Sequence, residues 1–139
     1  MSHNAMADSL MDEISNFVEE NTEAEILDEF LRDTMNILFV CSQNKRRSLT
    51  AEKIFDGVNG HSVRSAGTEK NSRIKVTPGL IGWADMIFCF EKKHLRRLRE
   101  KYFEEIDGKS VVTLNIPDDF EYMDEELQDI LRSYVEEYL

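Results

Sequence analysis

Cysteine is scarce in this chain of 139 residues, with only Cys41 and Cys89 present. Two cysteines do not build a disulfide scaffold, and these two lack the spacing of paired metal ligands. Long apolar runs are missing as well, since none approaches the roughly 20 residues that a membrane-spanning helix needs. The first residues do not show the basic, apolar, small-residue succession of a secretory signal, which predicts a cytoplasmic protein away from membranes. Positive charge is in short supply: 17 Lys and Arg stand against 28 Asp and Glu, a net charge of −11. Such a chain repels phosphate backbones overall, so nucleic acid is not an expected partner. No internal repeat or low-complexity tract is found. What is present is 41% hydrophobic residues, enough for the core of one compact domain.

The charge is unevenly placed. Residues 1–34 hold ten acids and one base, Arg32, whereas residues 35–139 hold eighteen acids and sixteen bases. Within 1–34, Leu10, Ile14, Phe17 and Val18 recur at helical spacing, and so do Ile26, Leu27, Phe30 and Leu31. Thr22 and Glu25 have the spacing of a capping box between the two sets. The pattern predicts an acidic helical extension over 1–34, partly disordered or packed, ahead of a domain that starts at Met35. An acidic segment of this kind would compete with anionic substrates if it lay over basic ground, or add a helical layer if it did not.

From Met35 onward, short apolar runs alternate with helical patterns. Asn36 opens the run Ile37-Leu38-Phe39-Val40, which ends at Cys41 and reads as a strand buried on both faces of a parallel sheet. A helix is predicted over 48–55, stopped by Gly57, and a strand over 62–66. Thr77-Pro78 supplies an N-cap and a proline at the first helical position of a helix reaching Ala84. Strands follow over 86–90 and 111–114. Between them lies a basic amphipathic helix, 91–103, with Leu95, Leu98 and Tyr102 on one face. A last helix over 124–138 carries Leu127, Ile130, Leu131 and Tyr134 on its inner stripe. The alternation predicts an α/β protein, an open four-stranded parallel sheet flanked by helices. Cys89 reads as core, Trp83 as helix-to-sheet packing, and His94 as surface within a solvated basic helix face.

In open α/β sheets, ligands collect at the carboxyl ends of the strands. The segment there is Cys41-Ser42-Gln43-Asn44-Lys45-Arg46-Arg47-Ser48, a cysteine and an arginine five residues apart, then a hydroxyl at the start of a helix. A loop of this size can turn successive backbone N–H groups of 42–48 inward as an anion cup, to which the helix N-terminus adds its positive end. Arg47 can close the cup with a bidentate fork on two phosphate oxygens. Cys41 lies at the bottom, in a field that favours the thiolate, set to attack phosphorus in line. Ser48 can donate to the sulfur and stabilise it again as a leaving group.

The register Ile37-Leu38-Phe39-Val40-Cys41-x-x-Asn44-x-x-Arg47-Ser48-x-x-Ala51-Glu52 resembles the low-molecular-weight protein tyrosine phosphatase family. Arg64-Ser65-Ala66-Gly67-Thr68 and Ala84-Asp85-Met86-Ile87 are similar to its second- and third-strand segments. The likeness runs in order over 35–139 and leaves 1–34 unmatched. It implies hydrolysis of phosphomonoesters by a cysteine nucleophile, Cys41, with no metal and no cofactor. It further implies that Arg47 is the phosphate clamp and Ser48 the thiolate-stabilising hydroxyl. Asn44 would hold the loop's strained shape through a network that includes Ser65. Substrates would be a phosphorylated protein or a small phosphomonoester, with inorganic phosphate as product; the resemblance names no oligomeric state. The family has glycine where Gln43 stands and proline where Leu49 stands, and its loop is less basic than Lys45-Arg46. The stretch after Thr68 is short, which predicts a reduced substrate-flanking loop.

The family takes its general acid from an Asp-Pro-aromatic motif, and Ile116-Pro117-Asp118-Asp119-Phe120-Glu121-Tyr122 stands in that place. Aligning the aromatic residue puts Asp118 at the acid, with Asp119 as substitute. Phe120 and Tyr122 would either wall the phosphate entrance or pack under the last helix. Two other readings share the pattern. An arsenate reductase needs further cysteines to pass on a disulfide, and only Cys89 is available. A phosphate-binding regulatory module would keep the cup with little turnover.

Overall fold

A computed structural model describes residues 33–139, so all but the end of the expected acidic extension lies outside the described residues. The unit from Met35 to Leu139 is built on four strands. These are β1 (Asn36–Cys41), β2 (Ser62–Gly67), β3 (Met86–Cys89) and β4 (Ser110–Thr113). They pair in parallel in the order β2-β1-β3-β4. Helices α1 (Arg47–Phe55), α2 (Pro78–Trp83), α3 (Lys92–Lys101), α4 (Phe103–Ile106) and α5 (Glu125–Val135) connect and flank them. The chain leaves β1 for β2 on one side and returns to β3 on the other. The order therefore reverses beside the carboxyl end of β1, the place where an open α/β sheet forms a crevice.

The uninterrupted apolar character of β1 has its cause in two separate core layers. Ile37, Phe39 and Cys41 face a layer completed by Ala51 and Phe55 of α1 and by Leu127, Leu131 and Val135 of α5. Leu38 and Val40 face the other layer, with Ile81 of α2, Leu98 of α3, and Tyr102 and Ile106. Stacked rings of Phe39 and Phe88, 5.0 Å apart, tie β1 to β3 within the first layer. Thr77 caps α2 as expected, its side chain accepting from Leu80 N–H at 3.1 Å. Trp83 packs partly buried on the second layer, with the Arg64 guanidinium 4.3 Å over its ring.

Four expectations need correction. The predicted helix over 91–103 is two helices, because Tyr102 leaves the helical region at φ −127°, ψ 44°. Its hydroxyl donates to Val76 O at 2.9 Å, a tertiary bond that no local pattern announces. On the last helix Tyr134 is 49% exposed, and the inner stripe runs Leu127, Leu131, Val135 at steps of four. The other two corrections, at His94 and Ser65, belong to the site.

Candidate active site

Cys41 is the last residue of β1, and the loop 42–46 carries the chain from it to Arg47, the first residue of α1. Two donors converge on the sulfur. Asn44 N–H points at Cys41 Sγ from 3.2 Å, and Ser48 Oγ lies 2.9 Å from it. Ser48 Oγ already accepts from Asn44 Nδ2 at 2.7 Å, so its single proton is free for the sulfur. Asn44 takes the left-handed backbone conformation, φ 58°, and is wholly buried. Asparagine tolerates that conformation better than other side-chain-bearing residues. Gln43, which stands where the family has glycine, does not take a positive φ.

Why the loop is cup-shaped follows from its carbonyls. Cys41 O and Ser42 O accept from the N–H groups of Thr68 and Glu69, both at 2.9 Å. Gln43 O accepts from Arg73 N–H at 3.0 Å, and Asn44 O from Arg73 Nε at 3.2 Å. Ser72 Oγ adds a second bond to Ser42 O at 3.0 Å. A peptide's N–H points opposite to its C=O, so carbonyls tied outward by 68–73 leave the N–H groups of 42–45 turned inward. Gly67 lets this brace lie close, since a Cβ there would run into Ser72 and the Ser42 carbonyl. No pattern in the sequence announces the brace.

Arg47 is buried, with its guanidinium 5.6 Å from the centre of the Phe90 ring. Nη1 is held by Glu91 Oε2 at 2.7 Å and by Ile116 O at 2.8 Å. Nε lies 3.6 Å from Asp118 Oδ1. Anchoring Nη1 from behind leaves the Nε–Nη2 edge as the fork for an anion. Burial acts to raise the carboxyl pKa of Glu91, but the hydrogen bond and charge of Arg47, with help from Lys93 and His94, outweigh it and hold it below its ordinary value. Glu91 was not foreseen. A cavity of about 120 Å³ results, lined by residues 41–47 and Asp118. Lys45 and Arg46 stand exposed at its rim.

The remaining expected residues are placed as follows. Ser65 is buried but donates to Glu52 at 2.6 Å, so it braces β2 against α1 and does not serve Asn44. Asp119 is exposed and outside the cavity lining. Phe120 packs on the first core layer, and Tyr122 is exposed. His94, expected at the surface, is buried and lies 2.9 Å from Ser42 Oγ through Nε2. Cys89 is buried in the layer opposite to that of Cys41, and its thiol is pushed up to about 12 by burial, offset only partly by Arg99.

No family model matches the sequence, and no curated protein matches it. Solved structures do match the fold. A low-molecular-weight protein tyrosine phosphatase from Streptococcus pyogenes superposes with a TM-score of 0.61 at 16% identity, covering 75% of this chain and 93% of that one. The fold is that of the low-molecular-weight protein tyrosine phosphatases. The same phosphatase fold is seen in the tyrosine phosphatase Wzb of Escherichia coli K30 in complex with phosphate. Its TM-score is 0.62 and its identity 18%, with 74% of this chain and 94% of that chain covered. The YwlE arginine phosphatase of Geobacillus stearothermophilus gives 0.60 and 21%, over 75% and 92%.

Proposed function

We propose that this protein is a cysteine-dependent phosphomonoester hydrolase of the protein tyrosine phosphatase kind. The observation that carries the reading is the Cys41 sulfur, which receives two donors in a cup with outward-tied carbonyls that Arg47 also lines. In the first step the thiolate lone pair forms an S–P bond while the P–O bond to the leaving group breaks. The leaving oxygen takes a proton from Asp118. In the second step Asp118, now a carboxylate, takes a proton from water as the water oxygen bonds phosphorus and the S–P bond breaks. Inorganic phosphate leaves, and Ser48 donates to the sulfur as it regains negative charge. The inward N–H groups and Arg47 hold the equatorial oxygens in both steps. Exposed Lys45 and Arg46 at the rim favour phosphorylated groups with further negative charge nearby, on a protein or a small molecule.

Hydrolysis of p-nitrophenyl phosphate by wild type and by Cys41→Ser tests the reading. We expect the variant to lose turnover while phosphate still binds, because the cup and Arg47 remain. Binding without turnover in the wild type would replace the enzyme with a phosphate-binding module. Loss of binding together with turnover in Cys41→Ser would mean that the cup is not built as described. The tyrosine and arginine phosphatases among the structural neighbours make phosphotyrosine and phosphoarginine peptides the first two substrates to compare, with nucleotides as the third class.

A further inference from the structure

Both ring nitrogens of buried His94 are engaged. Glu91 N–H donates to Nδ1 at 3.0 Å, and Nε2 lies 2.9 Å from Ser42 Oγ. A backbone N–H only donates, so Nδ1 is the acceptor and the neutral ring carries its proton on Nε2. Burial, then the charge of Arg47, hold His94 down to about 4 against the pull of Glu91, so this tautomer persists at neutral pH. Nε2–H therefore donates to Ser42 Oγ. With one lone pair taken by His94, the Ser42 hydroxyl keeps its own proton for another acceptor, and Ser42 lines the anion cup. Glu91 meanwhile holds Arg47 with its carboxylate and His94 with its N–H. The start of α3 thus grips the loop at both ends, Ser42 and Arg47.

We infer that His94 is a positioning residue that aims the Ser42 hydroxyl proton at the phosphoryl group held in the cup. The inference rests on the phosphatase reading of that cup. His94 itself touches no substrate, and its effect passes through Ser42.

The test is the affinity of the full chain for inorganic vanadate, measured by titration calorimetry. The proteins are wild type, Ser42→Ala, His94→Asn, His94→Gln and the double variant Ser42→Ala/His94→Asn. Asparagine sets an amide oxygen where Nδ1 stands, keeping the Glu91 bond but losing the donor to Ser42. Glutamine sets an amide N–H where Nε2 stands. We expect Kd to rise about three- to tenfold in Ser42→Ala and in His94→Asn, the scale of one hydrogen bond, and to rise no further in the double variant. His94→Gln should return it near the wild-type value. An unchanged Kd in Ser42→Ala overturns the inference even where a His94 variant fails to fold. Additive losses in the double variant, or a glutamine no better than asparagine, also overturn it and leave His94 as a packing residue. A wild type that neither binds vanadate nor hydrolyses p-nitrophenyl phosphate brings down the phosphatase reading and this inference together.

Discussion

Asp118 stands at the mouth of the cup with its side chain 54% exposed, 3.6 Å from Arg47 Nε. On the proposed function, a group there would meet the leaving oxygen from the solvent side. Asp118→Asn should lower the rate by roughly 10²–10⁴ for alkyl phosphates, the usual scale of general acid help. Aryl esters with a low leaving-group pKa should suffer less, because they depart without a proton. Equal loss on both kinds of ester would move the acid elsewhere, first to Asp119. His94 carries a separate prediction. Burial, then the charges of Arg47, Lys93 and Arg97, set it at about 4 against the opposing pull of Glu91, from an ordinary 6.5. Below 6.5 the unfolded chain takes up a proton that the folded chain refuses until about 4. Stability from this group is therefore whole above 6.5 and falls as pH drops through that window, by about 3 kcal/mol in all. Urea melts at neutral pH and at the lower edge of the window should show wild type losing more than His94→Gln, which has nothing to titrate there; parallel losses would refute the shift. Cys41, Asn44, Arg47 and Ser48 were legible in the sequence because one short loop holds them all. Glu91 and His94 were not, since they reach the loop from 44 and 52 residues away. His94 also sits in a run of cations that reads as surface.

The strands were legible because the chain writes double-sided burial as unbroken apolar runs, and Ile37 to Val40 is the clearest of them. Helix ends with local chemistry, such as Thr77-Pro78, could be read as well. The break at Tyr102 was invisible, because it serves a bond to Val76 on another segment. So was the brace over 68–73, which has no periodicity and works mainly through backbone N–H groups, which every residue but proline possesses. The brace is open to test at Gly67. Adding a Cβ there forces Ser72 or the Ser42 carbonyl aside. Gly67→Ala should cost about 1–3 kcal/mol of stability, the scale of overpacking. It should also weaken phosphate binding, because the Ser42 carbonyl it displaces is one of those that turn the N–H groups inward. Unaltered phosphate affinity in a destabilised Gly67→Ala protein would separate the brace from the cup.

Charge acts over the whole molecule. The chain carries −11, of which −9 lies in residues 1–34, ahead of the four-stranded unit, while the cup itself is lined by Lys45, Arg46 and Arg47. For the phosphorylated substrate of the proposed function, the net field repels and the local positive spot attracts, so the two contributions have opposite sign. Removing residues 1–34 leaves −2. The truncated chain should therefore capture anionic phosphomonoesters faster, and the gain should appear in kcat/KM rather than kcat. Lys45→Glu, which reverses the local charge, should lower the same parameter. Both effects travel through solvent, where the Debye length shrinks from about 30 Å at 0.01 M salt to about 3 Å at 1 M. Adding salt should draw the three proteins toward one value. A truncated chain whose kcat/KM equals that of the full chain at every ionic strength would remove residues 1–34 from any electrostatic part in substrate capture. A gain that persists undiminished at high salt would instead mean that they obstruct the cup by contact.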